Sequence, residues 1–200
     1  DPLYPLTRRS NVRIVEIDAA RPVDGALPGV ALRPGAAGEG QYAWLDPTNL
    51  GRMADIVAHD LRRLAPDSAN TIAQRLAAFK QRVVALAAEA GRSLATIDNV
   101  SVVSLSDRLD HFAAGFNLDL VSRDAREDDA WTTDALTQLG ASLRQQQVTV
   151  VLHHREPATA VAQAVQASGA RLVVLSTLGQ DPLAELQGNV ALVVKGLASG

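Results

Sequence analysis

The sequence predicts an α/β protein: a long helix joined to a four-stranded, mainly parallel sheet flanked by helices. Three observations carry this. From residue 100 onward, short apolar runs alternate with helical patterns, which is the signature of βαβ units. Ile72, Leu76, Phe79, Val83, Leu86 and Ala90 step by four and three, so they share one face of a long helix. Two Asp-Pro pairs, Asp46-Pro47 and Asp181-Pro182, mark helix starts with Asp as cap and Pro in the first turn.

In chain order, Val12–Ile17 (VRIVEI) alternates apolar and polar and reads as a strand. Residues 21–41 are rich in Pro, Gly and Ala and read as a loop. A helix follows over 48–64. Ala65-Pro66-Asp67 breaks it, with Asp67 as cap of the long helix, for which Gly91 is the stop signal after Ala90. Four strands are expected at 100–105, 118–121, 148–152 and 172–175. Helices are expected at 107–116, 132–146 and 157–167, and a last one with Leu183, Leu186, Val190 and Val194 inward.

Composition narrows the function. The 200 residues include 47% hydrophobic but only 4% aromatic residues, so the core is built from Ala, Val and Leu. A net charge of −3 with interspersed signs lacks the basic face that nucleic acid requires. Cysteine is absent, which removes disulfides, thiolate metal sites and cysteine nucleophiles. No apolar run approaches membrane-span length. The opening DPLYPLTRRS lacks the basic start and apolar stretch of a signal peptide, and its Pro-rich turn leading into a strand suggests a fragment or a processed form.

Ligands of open parallel sheets bind outside the carboxyl ends of the strands. Those ends deliver Ser106-Asp107, Ser122-Arg123, His153-His154-Arg155 and Ser176-Thr177. Two adjacent histidines out of four in the chain is the feature that needs explaining. Alternation along a strand predicts that their side chains diverge, so that one at most faces a given ligand. Ser106 or Asp107 serves equally as a cap for the next helix. His59 reads as part of a solvated helix face. His111, one turn into its helix, either points back toward the site or lies on the surface. A Ser/His/Asp rim admits a hydrolase, but there is no G-x-S-x-G elbow and no glycine-rich phosphate loop. No H-x-x-x-H or H-E-x-x-H spacing occurs either.

Three stretches carry a resemblance: YAWLDPTNLGRMADIVAHDLRRLAPDSANTIAQRLAAFKQRV, SVVSLSDRLDHFAAGFNLDLV and VTVVLHHREPATAVAQAVQASGARLVVLS. Together they resemble the periplasmic metal-binding proteins of zinc and manganese ABC importers, the ZnuA and TroA types, from about Tyr42 to the C-terminus. The resemblance implies a periplasmic, non-enzymatic solute-binding protein whose partners are an ABC membrane permease and a metal or small solute. It also implies residues 1–47 as a remnant of an N-terminal lobe, 48–95 as linker helices and 96–200 as a C-terminal α/β lobe. In such a remnant the lone strand 12–17 is expected to be mobile or paired with another chain.

The family's ligand positions map onto Tyr42 and Ser106, where it has histidines, then His154 (or His153 with a one-residue shift), and Ser176, where it has Asp. Asp107 matches. Tyr, Ser, His and Ser make a poor zinc site. Three readings follow. Tyr42, Ser106, Asp107, His154 and Ser176 bind a different ligand, such as a metal chelate or polar solute. Alternatively, zinc or manganese is held by a rearranged set of His153, His154 and His111. Or the cleft is vestigial and the protein is an accessory or interaction module, marked by an exposed apolar patch.

Overall fold

The computed structural model describes residues 17–22, 25, 27–33 and 41–198. The expected strand 12–17 therefore lies outside the described residues except for Ile17. A 3-10 turn at Ala43–Leu45 leads into helix α1 (Pro47–Leu64). The Asp46 carboxylate accepts from the backbone N–H of Thr48 at 2.7 Å and of Asn49 at 3.4 Å, as the Asp-Pro pair predicts. A second 3-10 turn, Pro66–Ser68, breaks the chain before α2 (Ala69–Leu94).

Two details of this break differ from expectation. Asp67 sits inside the turn and does not cap α2, whose N-cap position is Ser68. Gly91 does not stop α2 either. The helix runs to Leu94, which is buried in the core. Burying a leucine is worth about 2 kcal/mol, more than the roughly 1 kcal/mol that glycine costs inside a helix.

The remaining elements are β1 (Ser101–Ser104), α3 (Asp110–Gly115), β2 (Asp119–Arg123), α4 (Thr133–Gln145), β3 (Val150–His153), α5 (Thr159–Ala167), β4 (Arg171–Val174) and α6 (Pro182–Leu197). The strands form one parallel sheet in the order β2-β1-β3-β4. Successive residues of a strand feed opposite cores. Val102, Val150 and Leu152 pack with Trp44, Leu45, Phe112, Leu183 and Leu186 on one face. Val103 and Val151 pack with Trp131, Leu139, Leu143, Val161 and Val165 on the other.

Glycine is required at the contact between α3 and the start of α1. A Cβ on Gly115 would lie 2.8 Å from Asp46 Cα and 2.8 Å from Pro47 Cδ. The same region is tied from the other side by buried Asn49. Its side chain donates to the carbonyl of Ala31 and accepts from the Ala31 N–H, each at 2.9 Å. Farther along, α1 and α2 leave an apolar groove of about 400 Å³ whose walls include Met53, Val57, Leu61, Ile72, Leu76 and Phe79.

Candidate functional site

In the strand order β2-β1-β3-β4, the chain leaves β1 toward one edge of the sheet and β3 toward the other. The crevice between their carboxyl ends is the topological switch point, where open parallel sheets bind ligands. A cavity of about 430 Å³ opens there, and Tyr42, Ser106, Asp107, His153 and His154 all line it. Ser176 lines a second cavity of about 670 Å³ beyond β4. Arg108, His154 and Arg155 line both.

The two histidines do not diverge. Their rings stack, with centroids 4.8 Å apart and planes at 25°, and both face the first cavity. His153 is the last residue of β3 and His154 lies in the bend after it, so strand alternation has already ended between them.

Each ring is fixed by a different partner. His153 is 3% exposed, and its Nδ1 accepts from the backbone N–H of Arg155 at 3.1 Å. The neutral ring therefore carries its proton on Nε2. Burial, then the neighbouring His154 and Arg155, lower its pKa to about 4, with Asp128 opposing. His154 is half-buried, and its Nδ1 lies 2.8 Å from Ser106 Oγ. Its pKa is also lowered, first by burial and then by the charges of Arg108 and Arg155.

This geometry limits metal chemistry. A metal on His153 Nε2 would need the ring proton on Nδ1, where it would face another N–H. His154 can present Nε2 if Nδ1–H donates to Ser106, the arrangement of a histidine ligand held by a second partner. His111 is apart from both cavities. It is neither at the surface nor at the rim but buried in α3. Burial lowers its pKa first, Asp46 and Asp110 raise it and Arg33 lowers it. Among the described residues, no group of three His, Asp or Glu is disposed to share a metal ion.

The Ser106–His154 contact is the one a hydrolase would need, but its surroundings differ. Ser106 is 1% exposed, and its Oγ already accepts from the N–H of Arg108 at 3.1 Å. The ring uses Nδ1 toward serine, the nitrogen that an acidic triad partner would occupy. Nor does Ser106 or Asp107 cap α3, which starts at Asp110 with Leu109 in the cap position.

Ser176 is held by α6. Its N–H donates to Asn189 Oδ1 at 2.9 Å, its carbonyl accepts from Asn189 Nδ2 at 2.8 Å, and its hydroxyl donates to Glu185 at 2.6 Å. The Glu185 carboxylate also accepts from the N–H groups of Leu178, Gly179 and Gln180 at 3.2, 3.2 and 2.8 Å. Burial raises its pKa, but these hydrogen bonds outweigh that and leave it lowered. The loop after β4 is thus wrapped around one carboxylate.

Sequence reasoning did not single out Arg108, Arg126, Glu127 or Glu185. Arg108 places its guanidinium over the Tyr42 ring, 5.2 Å from the centroid. Arg155 pairs with Asp128 through two contacts of 2.9 Å, and Arg126 pairs with Asp124 at 2.6 Å. The only signal for Arg108 was its place two residues past Ser106 in a strand-end loop.

A polar crevice thus lies at the switch point of a parallel sheet, the place where open α/β folds bind ligands. The model of the family described as "Zinc-uptake complex component A periplasmic" (ZnuA) matches residues 9–192. The chain belongs to the ZnuA family. A search of curated protein sequences returns no match.

Among solved structures, a zinc-bound deletion mutant of ZnuA superposes with a TM-score of 0.73 at 23% identity, over 98% of this chain and 74% of that one. An FpvC mutant from Pseudomonas aeruginosa gives 0.72 at 19% identity, over 92% and 71%. The periplasmic zinc-binding protein TroA from Treponema pallidum gives 0.63 at 19% identity, over 84% and 69%. At these identities the likeness establishes the fold, and it agrees with the resemblance drawn from the sequence.

Proposed function

We propose that the chain is a non-enzymatic, periplasmic solute-binding component related to zinc and manganese ABC import, whose altered crevice takes a metal chelate or small polar solute. Residues 48–95 are its linker and 96–200 its ligand-bearing lobe, and an ABC permease is its partner. One observation carries the reading: Tyr42, Ser106, Asp107 and His154 converge on a single cavity, with the histidine tied to Ser106 and flanked by Arg108 and Arg155. The charge of Arg108, the guanidinium without a carboxylate partner among the described residues, acts on His154 more strongly than that of Asp107, which disfavours a bare divalent cation there and favours a ligand that hydrogen-bonds.

The test is a calorimetric zinc titration of chelator-stripped protein, repeated on His154→Ala and His153→Ala. Weak binding unchanged by either substitution supports the reading. Tight one-to-one binding lost in one variant overturns it, and means that zinc is held by a rebuilt site. The apolar groove between α1 and α2 favours a second reading, an interaction module. Loss of permease coupling on Leu76→Asp with solute binding intact would support that one.

A further inference from the structure

We infer that the two adjoining cavities at the strand ends recognise an organic carboxylate with an apolar body, its head on Arg108 and its body along Leu178 and Leu192. This rests on the solute-binding reading and modifies its solute from a wholly polar one to one with a polar head and an apolar body. The two cavities meet at Arg108, His154 and Arg155, and they differ in character. The first is polar, with Ser106, Asp107, Arg126 and Glu127 in its wall. The second is walled by Val174, Leu175, Leu178 and Leu192, of which Leu178 is 79% and Leu192 47% exposed. Volumes of about 430 and 670 Å³ suit a small organic molecule and far exceed an ion.

Arg108 is the anchor because the other two guanidiniums are taken. Arg126 is paired with Asp124, and Arg155 with Asp128. Among the described residues, the Arg108 guanidinium has no ion-pair or hydrogen-bond partner and is held only over Tyr42. Its planar fork matches a carboxylate. Two acids share the polar wall. Glu127 is exposed and Asp107 half-buried, and neither is in ion-pair contact with Arg108. His153 adds an Nε2–H donor. Glu185, in the wall of the second cavity, does not compete for Arg108, because its carboxylate oxygens accept from the Ser176 hydroxyl and the N–H groups of Leu178, Gly179 and Gln180. Those hydrogen bonds fix the backbone at Leu178, which lines the same cavity as Leu192.

The probes are octanoate, butyrate and octanamide, titrated by calorimetry into the full chain, Arg108→Gln and Leu192→Ser. Octanoate is expected to bind about tenfold or more tightly than octanamide to the wild type. Arg108→Gln should remove that preference, and Leu192→Ser should shrink the advantage of octanoate over butyrate. Equal binding of octanoate and octanamide overturns the inference, and that comparison needs no variant to fold. Absence of octanoate binding also overturns it. If zinc is then also not bound, the broader solute reading stands. If zinc binds tightly through His154, both fall.

Discussion

Replacing His153 by Gln should flatten the acid side of the stability curve. The buried imidazole accepts a backbone N–H through Nδ1 and is held neutral, with its pKa lowered to about 4, first by burial. In the unfolded chain the same ring titrates near 6.5. As pH falls below 6.5 the unfolded state takes up a proton that the folded state refuses, so stability is lost until the folded ring titrates near 4. The slope in that window is about 1.4 kcal/mol per pH unit, and between about pH 7 and pH 4.5 the ring's share of the loss is roughly 2 kcal/mol.

Carboxylates also titrate over this range, so the assay is a double difference. Urea unfolding of wild type and His153→Gln is measured at both pH values, and the variant should lose about 2 kcal/mol less than the wild type. A lower starting stability of the variant at neutral pH does not affect the comparison. Equal losses in the two proteins would refute the assignment of a neutral, backbone-capped ring.

Two structural predictions follow. Gly115→Ala should destabilise the fold by about 1–3 kcal/mol, because the new methyl meets backbone and a proline ring that cannot yield; an unchanged Tm would count against that contact. Glu185→Gln should cost about 1–2 kcal/mol by weakening the charged acceptor of one hydroxyl and three N–H groups. Hydrogen exchange at Leu178–Gln180 should accelerate in that variant, and unchanged protection there would show that the loop is held otherwise.

Much of this molecule was legible in its sequence. Asp46-Pro47 and Asp181-Pro182 start helices because an Asp oxygen satisfies free N–H groups locally, with no help from distant residues. The alternation of strands and helices specified a parallel sheet, and that alone put Ser106, His153, His154 and Ser176 at one edge.

What the sequence did not decide depends on where local order ends or on partners far along the chain. Gly91 reads as a stop until Leu94 finds its place in the core. The histidines diverge only if the strand continues through both, and it ends between them. Arg108 over Tyr42, Ser106 against His154 and Glu185 under the β4 loop join elements through contacts that no periodicity records. The sequence by itself determined the class of fold and the edge that carries the site, since both follow from local periodicity and caps. Only the tertiary structure decided which nitrogens, hydroxyls and guanidiniums remain available there, because that depends on hydrogen bonds closed between residues as many as 48 positions apart.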